Sequence, residues 1–143
     1  MNYTITLGDW LAQRPDARAV RHEVFIVEQN IPVSLEWDEM DDVSLHAVAF
    51  DDQHRAIGTG RLLPDGHIGR MAVSETWRGK GVGAAILLAL IDAAAGRGDS
   101  VVMLSAQIHA AAFYEHYGFV REGAEYMEAG IPHVHMQRST SLT

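Results

Sequence analysis

The stretch Arg78-Gly79-Lys80-Gly81-Val82-Gly83-Ala84 leads into residues 82–95, which are apolar on nearly every side and carry one charge, Asp92. A helix that is apolar all round has no face to give to water, so it must be covered, and a sheet is the usual cover. The run falls short of the roughly 20 residues that a membrane span needs, and Gly96-Arg97-Gly98 ends it. This one segment therefore demands a layered α/β fold. The glycines ahead of it let backbone N–H groups approach an anion, and a helix start adds partial positive charge. Arg78 and Lys80 bring full charges to the same turn. The turn reads either as a pyrophosphate cradle or as a tight strand-to-helix connection with no ligand.

Of two other phosphate motifs one fails here, and the other, which would make the chain a nicotinamide-binding oxidoreductase, is met only in part. A P-loop needs Gly, four residues, Gly-Lys and then Ser or Thr, whereas Lys80 is followed by Gly81. The dinucleotide fingerprint is nearer, because Gly79, Gly81 and Ala84 satisfy G-x-G-x-x-A. That fingerprint turns directly off its strand, however, and here residues 74–77 intervene. The next apolar strand also ends in Ser105-Ala106-Gln107 without the acid that holds a ribose.

The rest of the chain supplies the sheet. Residues 3–7 alternate as a strand. Ala17, Val20, Val24 and Val27 recur at helical spacing, with Pro15 suited to a first turn and Pro32 stopping the helix. Residues 34–42 read as a loop. Residues 45–50 and 56–63 form an antiparallel pair through the turn Asp51-Asp52-Gln53-His54, and 67–73 is a third strand of that series. Residues 101–104 follow the apolar helix and read as a parallel strand covered on both faces. A helix over 108–117 ends at Gly118, and strands near 119–123 and 133–138 close the chain. No repeat or linker interrupts it, and 143 residues make one domain over 1–143, with 139–143 a polar, disordered tail.

Charge and composition remove several functions. A net charge of -8 lacks the clustered cations that phosphate neutralisation requires, which speaks against nucleic acid and favours a cationic small molecule or peptide. There are no cysteines, so disulfides, thiol nucleophiles and thiolate metal sites are excluded, in keeping with a cytoplasmic setting. The first ten residues lack the basic and apolar regions of a secretory signal.

These motifs resemble the GNAT superfamily of acyl-CoA-dependent N-acetyltransferases. Its Gln/Arg-x-x-Gly-x-Gly/Ala signature is met by Arg78, Gly81 and Gly83, and its second block by Phe113-Tyr114 with Gly118-Phe119. The element order matches over about residues 3–138. Arg21-His22-Glu23-Val24-Phe25 with Glu28-Gln29, Ile68-Gly69-Arg70 before Met71, and Gly130-Ile131-Pro132-His133 are similar to its ElaA-like and YjcF-like subgroup. The resemblance implies one α/β domain with a mixed, splayed central sheet and flanking helices. It implies acetyl-CoA as the acetyl donor, with no metal, and an amine acceptor on a small molecule or peptide. Many relatives are homodimers. Met71, Ala72 and Val73 would then contact the pantetheine arm through backbone, and residues 78–84 the pyrophosphate. Gln107 would replace the family's usual Asn on the cofactor arm, and Phe113 would join it.

Direct transfer needs a neutral amine, a polarised thioester and a proton for the departing thiolate. Tyr114 matches the family's general acid. The base falls by position on His67, whose imidazole has a suitable intrinsic pKa, with Glu36, Asp38, Asp41, His46 and His133 as rivals. Glu36, Asp38, Glu39, Asp41 and Asp42 crowd around Trp37, either as a solvated acidic loop or as a recognition loop for a cationic amine stacked on Trp37. His133 joins these as a substrate-side candidate. With His135 it shares a strand face, but no third ligand stands at metal spacing. A binding module that holds acyl-CoA as a sensor without transferring it is the alternative from another class.

Overall fold

The computed structural model describes residues 2–32 and 38–141, which fall into two compact units, Met1–Leu90 and Ile91–Thr143. Glu36 and Trp37 lie outside the described residues. In the first unit, β1 (Tyr3–Gly8), β2 (Leu45–Asp51), β3 (Ala56–Leu62) and β4 (Ile68–Val73) pair in sequence order as one antiparallel sheet. Residues 34–42, expected as a loop, run on from position 39 into a 3-10 turn, Glu39–Val43.

Helix α1 (Trp10–Arg21) starts earlier than the proline suggests. Asp9 caps it, its carboxylate accepting from the Ala12 N–H at 2.9 Å. Pro15 sits inside the helix at an exposed position, where a missing N–H leaves no buried carbonyl unpaired. The helix continues as a π-helical turn, His22–Glu28. Ala17, Val20 and Val24 are buried at the spacing read from sequence, whereas Val27, in the π-helical turn, is exposed.

Helix α2 (Val82–Gly96) begins in this unit, where its Val82, Ile86, Leu87 and Leu90 are buried, as its composition requires. Glycines in β3 allow that approach. A Cβ on Gly58 would lie 2.8 Å from Ile86 Cδ1, and one on Gly60 would lie 2.8 Å from Ile86 Cγ2. The opposite phase of the same strand, Thr59 and Arg61, is also buried.

The second unit contains β5 (Val101–Gln107), β6 (Val120–Glu128) and β7 (Ile131–Ser139), in the order β5-β7-β6. The parallel pairing expected for β5 is not what supplies its hydrogen bonds: β7 returns beside it antiparallel, from Val101↔Ser139 to Gln107↔His133. Every ladder among the described residues is antiparallel. Order also extends past the expected tail boundary, because Ser139 is in the ladder and the Thr140 N–H donates to Ser100 O at 3.0 Å. The closing strands are longer than their sequence pattern suggests. Ala129 and Gly130, at φ 52 and 76, make the tight hairpin turn, and Gly123 at φ 76 accompanies the register shift in β6.

Candidate active site

The glycine turn lies exposed just ahead of α2. A 3-10 turn, Glu75–Trp77, leads from β4 to residues 78–81, all exposed. Gly79 and Gly81 take φ of 76 and 84, a region that residues with a Cβ rarely enter. The Tyr3 hydroxyl donates to Gly81 O at 3.2 Å, and the Ala85 N–H donates to the same carbonyl at 3.0 Å as the first bond of the helix. The N–H groups of Val82, Gly83 and Ala84 therefore precede any intrahelical acceptor. No acidic residue stands in the first turn to compete for them. Lys80 hangs over the turn, its Nζ donating to Thr76 O at 3.2 Å.

Arg78 is held by a partner fifty residues away. Its Nη1 and Nη2 reach the two oxygens of Glu28 at 2.6 and 2.5 Å, and its Nε donates to Val73 O at 3.0 Å. The hydrogen bond from Arg78 lowers the Glu28 carboxyl below its ordinary value despite some desolvation, and the same bond raises the Arg78 pKa. The fork fixes Arg78 at the mouth of the turn.

Strand β4 carries a bulge in the middle of its expected cofactor-binding stretch. Thr59 faces Ala72 and Arg61 faces Gly69, so Arg70 and Met71 together oppose Gly60. Arg70 sits at φ 50. Met71 and Val73 are half-buried, and Ala72 is buried.

An ion network ties this bulge to α1. Arg21 makes a fork to Asp41 at 2.8 and 3.2 Å, and both side chains are nearly inaccessible, at 1% and 4% exposure. Arg61 Nη1 bridges Asp41 at 3.0 Å and Asp38 at 2.7 Å, and Arg70 Nη2 reaches the other oxygen of Asp38 at 3.0 Å. Burial raises the Asp38 carboxyl, but the Arg61 hydrogen bond and the charges of Arg61 and Arg70 outweigh it, and the net shift is downward. His46 is buried against Trp10, and its Nε2 donates to Asp41 O at 2.9 Å. Burial lowers its pKa in spite of that bond. Sequence reading did not find this network. The available signal was arginine at core phase: Arg21 follows Ala17 by four residues, and Arg61 alternates with Gly60 and Leu62 in β3.

In the second unit Tyr114 stands on α3 (Ala111–His116), edge-on to Phe119 at 5.9 Å and to Phe113 at 5.1 Å. Gly118 ends the helix at φ 91, and the Phe119 N–H donates back to Tyr114 O at 3.1 Å. Arg138 of β7 anchors the same end, its Nη1 donating to Tyr117 O at 2.9 Å. Desolvation by burial pushes the Tyr114 phenol up to about 12. Gln107 closes β5, in register with His133. The His133 ring donates from Nδ1 to Ile131 O at 2.7 Å, and its Nε2 lies 3.3 Å from Glu128. Ser105, Tyr126 and Glu128 gather beside it, with the Ser105 and Tyr126 hydroxyls hydrogen-bonded and the Tyr126 ring stacked on His133. None of these three was singled out from sequence. In the first unit His67 is partly exposed, its Nδ1 2.9 Å from Asp65. Among the described residues no three His, Asp or Glu side chains converge as metal ligands.

The described residues form seven strands, with a glycine turn opening a buried helix and a bulged strand before it, an α/β architecture shared with acyl-CoA-dependent acyltransferases of known structure. The family description "Acetyltransferase (GNAT) domain" matches residues 13–140, across both units, and the chain belongs to that family. It is 41% identical over 130 residues to the uncharacterized N-acetyltransferase YjcF of Bacillus subtilis, covering 88% of this chain and 92% of that protein. An acyl-CoA N-acyltransferase structure from Pseudomonas aeruginosa aligns at TM-score 0.85 and 34% identity, over 96% of this chain and 99% of that one. Escherichia coli ElaA aligns at TM-score 0.84 and 28% identity with the same coverage. The protein is thus an acyltransferase of the acyl-CoA-dependent N-acyl type.

Proposed function

We propose that the chain transfers an acetyl group from acetyl-CoA directly to a primary amine, on a small molecule or peptide in the cytoplasm, with both substrates bound together. The observation that carries this reading is Tyr114, a phenol set edge-on between Phe113 and Phe119 in the family's second motif block; a phenol, whose pKa is ordinarily about 10, holds its proton throughout the neutral range. That is the state a general acid needs to protonate a departing thiolate. The absence of any cysteine removes the thiol that would otherwise carry the acyl group between substrates, which favours direct transfer.

The remaining roles follow from the residues present. The N–H groups at the start of α2, with Arg78 and Lys80, fit a pyrophosphate, and the backbone of Met71, Ala72 and Val73 fits an extended amide-bearing arm. Gln107 and Phe113 are assigned to the same donor by their positions in the family motif. The Asp65 carboxylate lies against His67 Nδ1, and the imidazole is the base that takes the ammonium proton. Glu36, Trp37, Asp38 and His133 are assigned to the amine acceptor on residue type alone, as carboxylates, an aromatic ring and an imidazole suited to a cationic amine. Tyr114→Phe keeps the ring packing against Phe113 and Phe119 while removing the hydroxyl. It is expected to lower kcat by roughly 10²-fold with acetyl-CoA affinity little changed. A parental rate in that variant, with chemistry rate-limiting, removes Tyr114 from the mechanism.

A further inference from the structure

Asp38 belongs to the acidic stretch that suggested amine recognition, yet both of its oxygens are engaged by guanidinium groups: Oδ1 by Arg61 at 2.7 Å and Oδ2 by Arg70 at 3.0 Å. Oδ1 also accepts the Met40 N–H at 3.0 Å. A carboxylate so neutralised has little charge to offer a substrate. Its partners instead give it a mechanical task. Arg61 is fixed on β3 and, through Asp41, to the buried Arg21 of α1. Arg70 is the residue of β4 at φ 50, the left-handed region that disfavours any side chain with a Cβ, and it sits in the bulge next to Met71 and Ala72. Asp38 is thus the link between a rigid, buried ion network and the one strained residue of the strand.

We propose that Asp38 is a positioning residue: by bracing the Arg70 side chain from the Arg61 side, it holds the β4 bulge in the conformation that presents the Met71 and Ala72 backbone to acyl-CoA. The inference rests on the reading of that backbone as a cofactor contact. Without the brace, the left-handed conformation at Arg70 loses the compensation that Asp38 supplies and the strand relaxes toward other pairings, so that a smaller fraction of molecules is competent to bind. Glycine at the same position needs no compensation, because it enters the left-handed region freely.

The test is a rescue experiment on the full chain, with acetyl-CoA titrated by calorimetry and amide hydrogen exchange followed at Met71 and Ala72. Asp38→Ala is expected to weaken acetyl-CoA binding about fivefold, equivalent to about 1 kcal/mol, and to speed exchange at both amides. Arg70→Gly alone, and Asp38→Ala combined with Arg70→Gly, are expected to stay within about twofold of the parent in affinity. Their exchange should also return to the parental rate. A merely structural role for Asp38 gives no such rescue, so a double variant as defective as Asp38→Ala overturns the proposal. Parental affinity and exchange in Asp38→Ala overturn it as well. If the parent itself does not bind acetyl-CoA, the cofactor reading fails separately, and the exchange data alone then decide whether Asp38 braces the bulge.

Discussion

Gly60 offers a quantitative check on how β3 and α2 pack. A Cβ there would lie 2.7 Å from Met71 Sδ, 2.8 Å from Ile86 Cγ2 and 3.0 Å from Leu90 Cδ1. All three are side-chain atoms, but three neighbours must move at once, and Ile86 and Leu90 have no exposed surface to move into. Overpacking of this kind costs about 1–3 kcal/mol, while replacing glycine returns about 0.4–1 kcal/mol by restricting the unfolded chain. Gly60→Ala should therefore lose roughly 1–2 kcal/mol, which for a chain of this size lowers Tm by roughly 3–7 °C. Gly69→Ala, on the next strand, is the control, since nothing lies within 4 Å of its Cβ position. It should be neutral or slightly stabilising. Thermal and urea unfolding followed by circular dichroism would measure both. Equal stability of Gly60→Ala and the parent, or an equal loss in the two variants, would refute the packing argument.

Two further outcomes are expected. Gly81→Val places a branched side chain at φ 84 in the turn, and acetyl-CoA affinity measured by calorimetry should fall tenfold or more, at least about 1.4 kcal/mol; unchanged affinity in the folded variant defeats the cradle assignment. The Tyr114 phenol, ordinarily near 10 and raised to about 12 in the fold, stays protonated in the folded state after the unfolded chain has begun to ionise. Its contribution to stability is complete below pH 10 and is lost as pH rises toward 12, a slope that Tyr114→Phe should lack when Tm is followed against pH.

The parts legible in sequence are those that glycine and apolar pattern dictate. The cover needed by residues 82–95 implied a sheet, and β2, β3 and β4 fall within one residue of the alternating runs that announced them. The Gly118 stop placed the helix of Tyr114. What could not be read depended on distant partners. The residues after α2 suggested a parallel strand, and only the return of β7 makes β5 antiparallel. The second half of β6 has glycine and acidic residues where a strand pattern would show branched ones, and its strand state comes from pairing with β7. Arg21 and Arg61 are residues of a surface type, and their burial follows from their ion pairs with Asp41 and Asp38, which also hold the half-buried Arg70. Arg78 was legible as a cation at the turn, but not as one held by Glu28.

Direct acetyl transfer is tested most plainly by free coenzyme A, detected with a thiol reagent to which this cysteine-free chain contributes no background. Protein and acetyl-CoA are mixed at comparable concentrations, without and then with a panel of primary amines. The account predicts no release of coenzyme A before an amine is added. With an accepted amine, one coenzyme A should appear for each acetylated product. A stoichiometric burst of coenzyme A in the absence of amine would show an acyl-enzyme and contradict direct transfer. Tight acetyl-CoA binding with no release for any amine would contradict transfer itself.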